Sequence, residues 1–265
     1  MLGFLVSDET ARHSNFFLIV IVASAAVIQL VPQVRDYLVT TWMIVGVGGA
    51  AFLSLLLLAN WTEQERDRLA RVHWILLIVY LAHQFEEHGV DLFGRSYFFI
   101  TYAQKLIGEI RPGNGFTPLE LYRINTLMVW LPFLTAVWGG RRFIWPGLAA
   151  GGLLLGNGIF HAGVALWRAE YNPGLGSAIV LFLPAGLLYF RFVRRHCAIG
   201  WTGIASGLLF GAAAHAGIVL GVRFNVTTGP PAAVSWVFGL APLIANFLYE
   251  WLRGASPPSL QQQKT

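Results

Sequence analysis

Residues 83–88 read HQFEEH, inside the otherwise apolar run WILLIVYLAHQFEEHGVDLF. At helical spacing His83, Glu86 and Glu87 are i, i+3 and i+4 and share a face. A second polar pair, Asn157 and His161 in NGIFH, is i, i+4, and a lone His215 sits in AAAHAG. Imidazoles and carboxylates are the ligand types for zinc, iron and manganese. Water held by such an ion becomes acidic enough to act as a nucleophile near neutral pH. In hydrocarbon, a carboxylate costs about 2.5–3.5 kcal/mol on insertion scales, and adjacent carboxylates repel. A divalent cation neutralises both and orients the imidazoles, whereas bound protons only neutralise. The expected metal ligands are therefore His83, Glu86, Glu87 and His161, with His215 as a further one. Glu86 doubles as the expected general base, and Asn157 as the donor to a developing oxyanion.

The elements that must carry these residues follow from composition. The chain is 56% hydrophobic and only 12% charged, with mean hydropathy +0.61, against about 25% charged in soluble domains. Charges cluster between long continuous apolar runs, which predicts an all-α, polytopic transmembrane helix bundle rather than a barrel. About eight spans are expected at roughly 20 residues each. They cover about 15–34, 39–58, 72–93, 118–138, 143–168, 175–193, 201–222 and 231–252. Residues 1–252 are expected to form a single membrane domain, and 253–265, Arg253 followed by the polar GASPPSLQQQKT, a disordered cytoplasmic tail.

Arginine placement on alternate connections (Arg66, Arg68 and Arg71, then Arg141 and Arg142, then Arg191, Arg194 and Arg195) puts both termini in the cytoplasm. The same placement accounts for the net charge of +5 without nucleic acid as a partner. The single Cys197 excludes an internal disulfide. The 91–117 connection carries an apolar, aromatic stretch and is expected to be an external interfacial or re-entrant segment capping a cavity. Spans three, five and seven run in the same direction. At 1.5 Å per residue, His83, Asn157, His161 and His215 lie about 18–29 Å along them, at one level in the middle to outer bilayer. His88 falls off the His83 face unless the helix unwinds before Gly89. His73 is expected near the cytoplasmic interface, Asn246 as interhelical glue, and Glu120 with Arg123 as a simple helix pair.

Three motifs in order, HQFEE at 83–87, NGIFH at 157–161 and YNPG at 171–174, resemble the bacterial membrane-protein family named for its HxxEE motif, in which NxxxH and YxPG motifs accompany the first. The resemblance maps the family's motifs onto His83, Glu86 and Glu87, onto Asn157 and His161, and onto Tyr171, Pro173 and Gly174. It implies a bacterial inner-membrane protein and supplies no reaction. His88 and His215 lie outside these motifs. In YNPG, Pro at i+1 and Gly at i+2 also predict a type II turn between spans five and six.

The functional expectation is a metal-dependent integral membrane enzyme. Zinc is placed ahead of iron or manganese, and hydrolysis of a small lipophilic, lipid-like substrate drawn from membrane lipids ahead of iron-dependent oxidation. The alternative from another class is a transporter or proton relay built on the same His/Glu cluster. No inverted repeat or pair of broken helices of the transporter kind is visible in the sequence.

Overall fold

The computed structural model describes residues 11–59, 68–96, 98–110, 117–139, 144–197, 199–223 and 233–252. The expected tail lies outside the described residues. Among the described residues nine helices follow one another: α1 (Ala11–Leu30), α2 (Pro32–Ala59), α3 (Arg68–Gln84, prolonged by a π turn over Phe85–Gly89) and α4 (Phe98–Ile110). α5 runs through Pro118–Arg123, a π turn at Ile124–Val129 and Trp130–Gly139, and α6 is Ile144–Arg168. α7 joins Leu175–Ser177, a π turn at Ala178–Phe182 and Leu183–His196. α8 (Trp201–Arg223) and α9 (Ala233–Leu252) complete the series. The described residues contain no strand; an isolated bridge pairs Val90 with Ser96.

Local sequence sets these boundaries. α1 and α2 are separated only by Val31, because the residue before Pro32 is pushed out of the helical region. The break therefore comes before Arg35 and Asp36, not around them as the charge pattern suggested. α5 begins with a capping box: Thr117 Oγ1 accepts from the Glu120 N–H, and Glu120 accepts from the Thr117 N–H, with Pro118 at the first helical position. Glu120 is thus a cap as well as the charged neighbour of Arg123. The π turns of α5 and α7 each precede a proline. Pro132 and Pro184 have no N–H to offer the carbonyls of Met128 and Val180, and the wider turn absorbs the mismatch.

Among the described residues, four helices are long and apolar enough to cross a membrane: Pro32–Ala59, Ile144–Arg168, Leu175–His196 and the Trp201–Leu220 part of α8. This is fewer than eight. α3 is only 17 residues long before its π turn, and in α9 the apolar part is the shorter Val234–Tyr249. α6 is the central element, with 61% of its apolar window buried against 22% for α2 and α8. Leu154 of α6 and Phe182, Tyr189 and Val193 of α7 are buried in the core between α3, α5 and α8. His73 is buried in the same core, its Nδ1 3.0 Å from the Ala136 carbonyl and its Nε2 3.3 Å from Tyr189 Oη. Asn246 accepts from the Trp145 N–H at 3.4 Å, as expected of a residue joining two helices.

Between α3 and α4 the chain makes a tight turn organised by Asp91. Its Oδ1 accepts the N–H groups of Phe93 and Arg95, both at 2.9 Å, and its Oδ2 accepts Arg95 Nε at 2.7 Å. α4 then folds back over the bundle with Tyr102 and Ala103 buried. At 13 residues it is about 20 Å long, too short to cross a core of about 30 Å. It covers a cavity, as expected of the 91–117 connection.

Small residues let α6 and α8 meet at backbone distance. A methyl group at Gly152 would overlap the Gly207 carbonyl, and one at Gly211 would overlap the Gly152 carbonyl. Gly152→Ala is expected to lower stability by about 1–3 kcal/mol. Gly163→Ala, on the same helix but facing open space, is neutral or slightly stabilising; thermal unfolding in detergent separates the two. For Asp91, burial opposes ionisation, but the Arg95 and Phe93 N–H groups and the Arg95 side chain outweigh it and hold the carboxyl below its usual range. Its contribution is complete above the unfolded-state value of about 3.9 and is lost as pH falls through the depressed folded value. The difference in melting temperature between wild type and Asp91→Asn should therefore shrink on acidification through that window.

Candidate metal centre

Glu87 is the focus of the site. His83 and Glu87 are one turn apart on α3, and His161 comes from α6. The three are buried, and one ligand atom of each lies within 4.8 Å of the others. His161 Nε2 is 3.3 Å from Glu87 Oε1, and His83 Nε2 is 3.4 Å from Glu87 Oε2. Neither nitrogen is aligned for a hydrogen bond, and both are buried without a hydrogen-bond partner.

The opposite nitrogens of the two rings are committed elsewhere. Asn172 Nδ2 donates to the His161 carbonyl at 3.0 Å, which leaves Asn172 Oδ1 facing His161 Nδ1. That ring nitrogen therefore carries the proton. His83 Nδ1 lies 2.8 Å from Ser177 Oγ, whose own hydrogen is directed at Glu86 Oε2 or the Gly174 carbonyl. His83 Nδ1 is thus also the donor. Each ring then leaves its Nε2 beside the Glu87 carboxylate without a hydrogen bond to it, an arrangement that a cation or added protons between the groups would stabilise. Metal-ligating histidines are oriented in this way, with the far N–H bonded to a carbonyl, carboxylate or water. The cluster can hold a metal ion.

The π turn decides where the neighbouring residues go. It is closed by a bond from the Val90 N–H to the Phe85 carbonyl at 2.9 Å. Glu86 does not join the group around Glu87, contrary to the spacing argument. Its oxygens accept from Tyr171 Oη (3.0 Å), from the N–H groups of Gly176 (3.1 Å) and Ser177 (2.6 Å), and from Ser177 Oγ. It is a carboxylate anchor for the N-terminus of α7, where the helix dipole favours negative charge. The same turn brings in His88, whose Nε2 lies 3.0 Å from Glu87 Oε2 and 3.3 Å from Asn125 Nδ2. Asn125 belongs to the π turn of α5. Its Oδ1 accepts from Tyr80 Oη (2.9 Å) and Gln84 Nε2 (2.8 Å), and Gln84 Oε1 accepts from Trp130 Nε1 at 2.6 Å. This buried chain of polar groups had no signal in the sequence beyond single polar residues in apolar runs.

The type II turn is formed. The Leu175 N–H bonds the Asn172 carbonyl at 3.0 Å, and Gly174 has φ 88° and ψ −7°. A side chain at Gly174 is doubly excluded, since a Cβ would lie 2.8 Å from His83 Cε1 and 3.1 Å from both Glu87 Cβ and His161 Cε1. Burial, with the Glu86 carboxylate beside it, pushes the Tyr171 phenol well above its usual range, so it remains a donor. Tyr171, just before the turn, also touches the first motif carboxylate, Glu86. Asn172, the variable position of YxPG, holds His161, and the motif spacing gave no indication of it.

A cavity of about 330 Å³ opens beside the cluster, with Glu87, His88 and His161 in its wall. Asn157 and His215 line the same cavity without joining the three converging groups. His215 Nδ1 lies 2.7 Å from the Gly211 carbonyl of its own helix. The remaining lining is mostly apolar, and Phe160, Trp167 and Val219 among it are 40%, 70% and 38% exposed. The cavity therefore reaches the outside of the bundle between α6 and α8.

Residues 74–189 match the family described as protein of unknown function with HXXEE motif. The match spans α3 through most of α7 and includes every residue of the cluster. No curated protein and no solved structure matches the chain.

Replacing Glu86 by Gln keeps its shape but weakens charge-assisted bonds worth about 1.5–3 kcal/mol each to stability. Glu86→Gln should lower the melting temperature while leaving the Glu87 group in place, and Tyr171→Phe should do the same to a smaller extent. Thermal unfolding of both variants, with the helical circular-dichroism signal checked before heating, tests this.

Proposed function

We propose that this protein is a metal-dependent integral membrane enzyme, with His83, Glu87 and His161 as its metal ligands. The observation that carries the reading is the pair of buried Nε2 atoms that lie 3.4 and 3.3 Å from one carboxylate without a hydrogen bond to it, while both Nδ1 atoms are held as donors. Imidazole and carboxylate together suit zinc first, with iron or manganese next. A divalent ion at such a place supplies Lewis acidity, to a substrate oxygen or to water. Asn157, in the cavity wall, is the side-chain amide available to a substrate oxygen. Asn172 and Ser177 set the tautomers of the two imidazoles, and Glu86 fixes the α7 turn that carries Ser177.

The apolar cavity between α6 and α8 supports a lipid-like substrate entering sideways, and hydrolysis is the reaction that needs no further cofactor. The bundle is read with about eight crossings, both termini cytoplasmic, in a bacterial inner membrane; the arginine alternation supports this orientation. A second reading, a proton relay or transporter, draws on the continuous polar chain Trp130–Gln84–Asn125–His88–Glu87.

Elemental analysis of detergent-purified protein separates them. Stoichiometric metal in the wild type, lost in His83→Ala and Glu87→Gln and retained in Glu86→Gln, is the expected result. Asn172→Leu should weaken metal affinity about 10–100-fold. Metal content unchanged by His83→Ala and His161→Ala would overturn the assignment. Proton flux in proteoliposomes by metal-free protein would establish the second reading instead.

A further inference from the structure

Farther along α3 and α7, toward the Arg191 end and sharing no lining residue with the cavity beside Glu87, runs a second, open groove of about 510 Å³. Val72, Ile75 and Val79 of α3 form one wall, and Val180, Pro184 and Leu188 of α7 the other. These recur at helical spacing, so each helix presents a continuous apolar stripe. Val180 and Leu188 are 69% and 63% exposed, so nothing within the bundle fills the groove. At one end it meets Arg191, Arg195 and His196, all lining it and all exposed.

Arg191 and Arg195 are i, i+4 and lie on one face. Among the described residues neither has a carboxylate partner. Arg194, between them in sequence, is directed elsewhere: it donates to the Ile199 carbonyl and lies over the Trp201 ring. Compensation of the helix dipole accounts for basic residues in a last turn. It does not account for an apolar channel leading to them. Two guanidinium forks at the end of an interhelical hydrocarbon groove match a phosphate with an acyl chain attached.

We propose that the α3–α7 groove is a binding site for an anionic phospholipid, with the headgroup phosphate between Arg191 and Arg195 and one acyl chain along the stripe. The site is separate from the metal centre, and the inference stands whether or not the protein is an enzyme. Basic pockets between membrane helices on the cytoplasmic side bind anionic headgroups by the same chemistry, and the arginine alternation puts this end of α7 on that side.

The test uses the full chain, delipidated in detergent and titrated with phosphatidylglycerol or phosphatidylcholine of matched chains, with bound lipid counted by native mass spectrometry. The wild type should retain phosphatidylglycerol preferentially. Arg191→Gln with Arg195→Gln should weaken that retention about thirtyfold, at roughly fivefold per arginine, and leave phosphatidylcholine unchanged. Ala185→Phe, which fills the groove, should reduce retention of both lipids without loss of helical circular dichroism. Arg35→Gln, at the exposed pair with Asp36, should have no effect. Equal retention of the two lipids by the wild type overturns the proposal, as does undiminished phosphatidylglycerol binding in the double variant. An equal loss in Arg35→Gln would show a diffuse charge effect, and displacement by inorganic phosphate a free-anion site; either result also overturns it.

Discussion

One buried carboxylate governs the centre of this structure. Glu87 faces imidazole nitrogens from α3 and α6 whose other nitrogens already donate elsewhere. An uncompensated charge of this kind is too costly to leave in an apolar interior, so the surrounding chain is arranged around it. Ser177 and Asn172 fix the rings. Gly174 makes room by having no side chain and a left-handed backbone. Glu86, bound to Tyr171 and the first N–H groups of α7, keeps the segment carrying these residues against α3. The two adjacent glutamates thus avoid mutual repulsion by facing different partners.

The rest of the bundle has little directional bonding to offer. In a membrane the hydrophobic effect does not drive helices together, and close backbone packing takes its place. The α6–α8 seam is made by glycine, and α6, the most buried apolar helix, carries His161 at its polar end. Against this background the polar chain from Trp130 through Gln84 and Asn125 to His88 stands out as the tie between α3 and α5. Each neutral hydrogen bond contributes only about 0.5–1.5 kcal/mol. Their combined geometry nonetheless sets the direction from which His88 approaches Glu87.

Much of this was legible in the residues. Helical class, the capping segment at 91–117, the turn at YNPG and the meeting of His83, Glu87 and His161 all follow from spacing, depth and turn chemistry. The failures share a cause. Helical spacing groups Glu86 with His83 and Glu87, but i+3 and i+4 lie to opposite sides of residue i and Glu86 turns to the start of α7 instead, while a π turn from Phe85 brings in His88. No periodicity reports a π turn, because it is one extra residue within an unchanged composition. Asn125 and Asn172 were equally hidden, since their partners lie 37 and 11 positions away. His215 shares the expected depth, yet its ring is tied to its own helix and turned to the cavity. Depth alone does not fix azimuth.

The π turn at Phe85–Gly89 also constrains how such a sequence can diverge. Each residue in an α-helix advances the chain by about 100°. Removing one position from this turn would restore regular winding and swing everything beyond it around the axis, taking His88 and the Asp91 turn to another face. Lipid-facing positions on α2 or α8 can drift one at a time with small effect. The segment from His83 to Gly89 is fixed in length as well as in identity, so a deletion there is equivalent to losing several side chains at once.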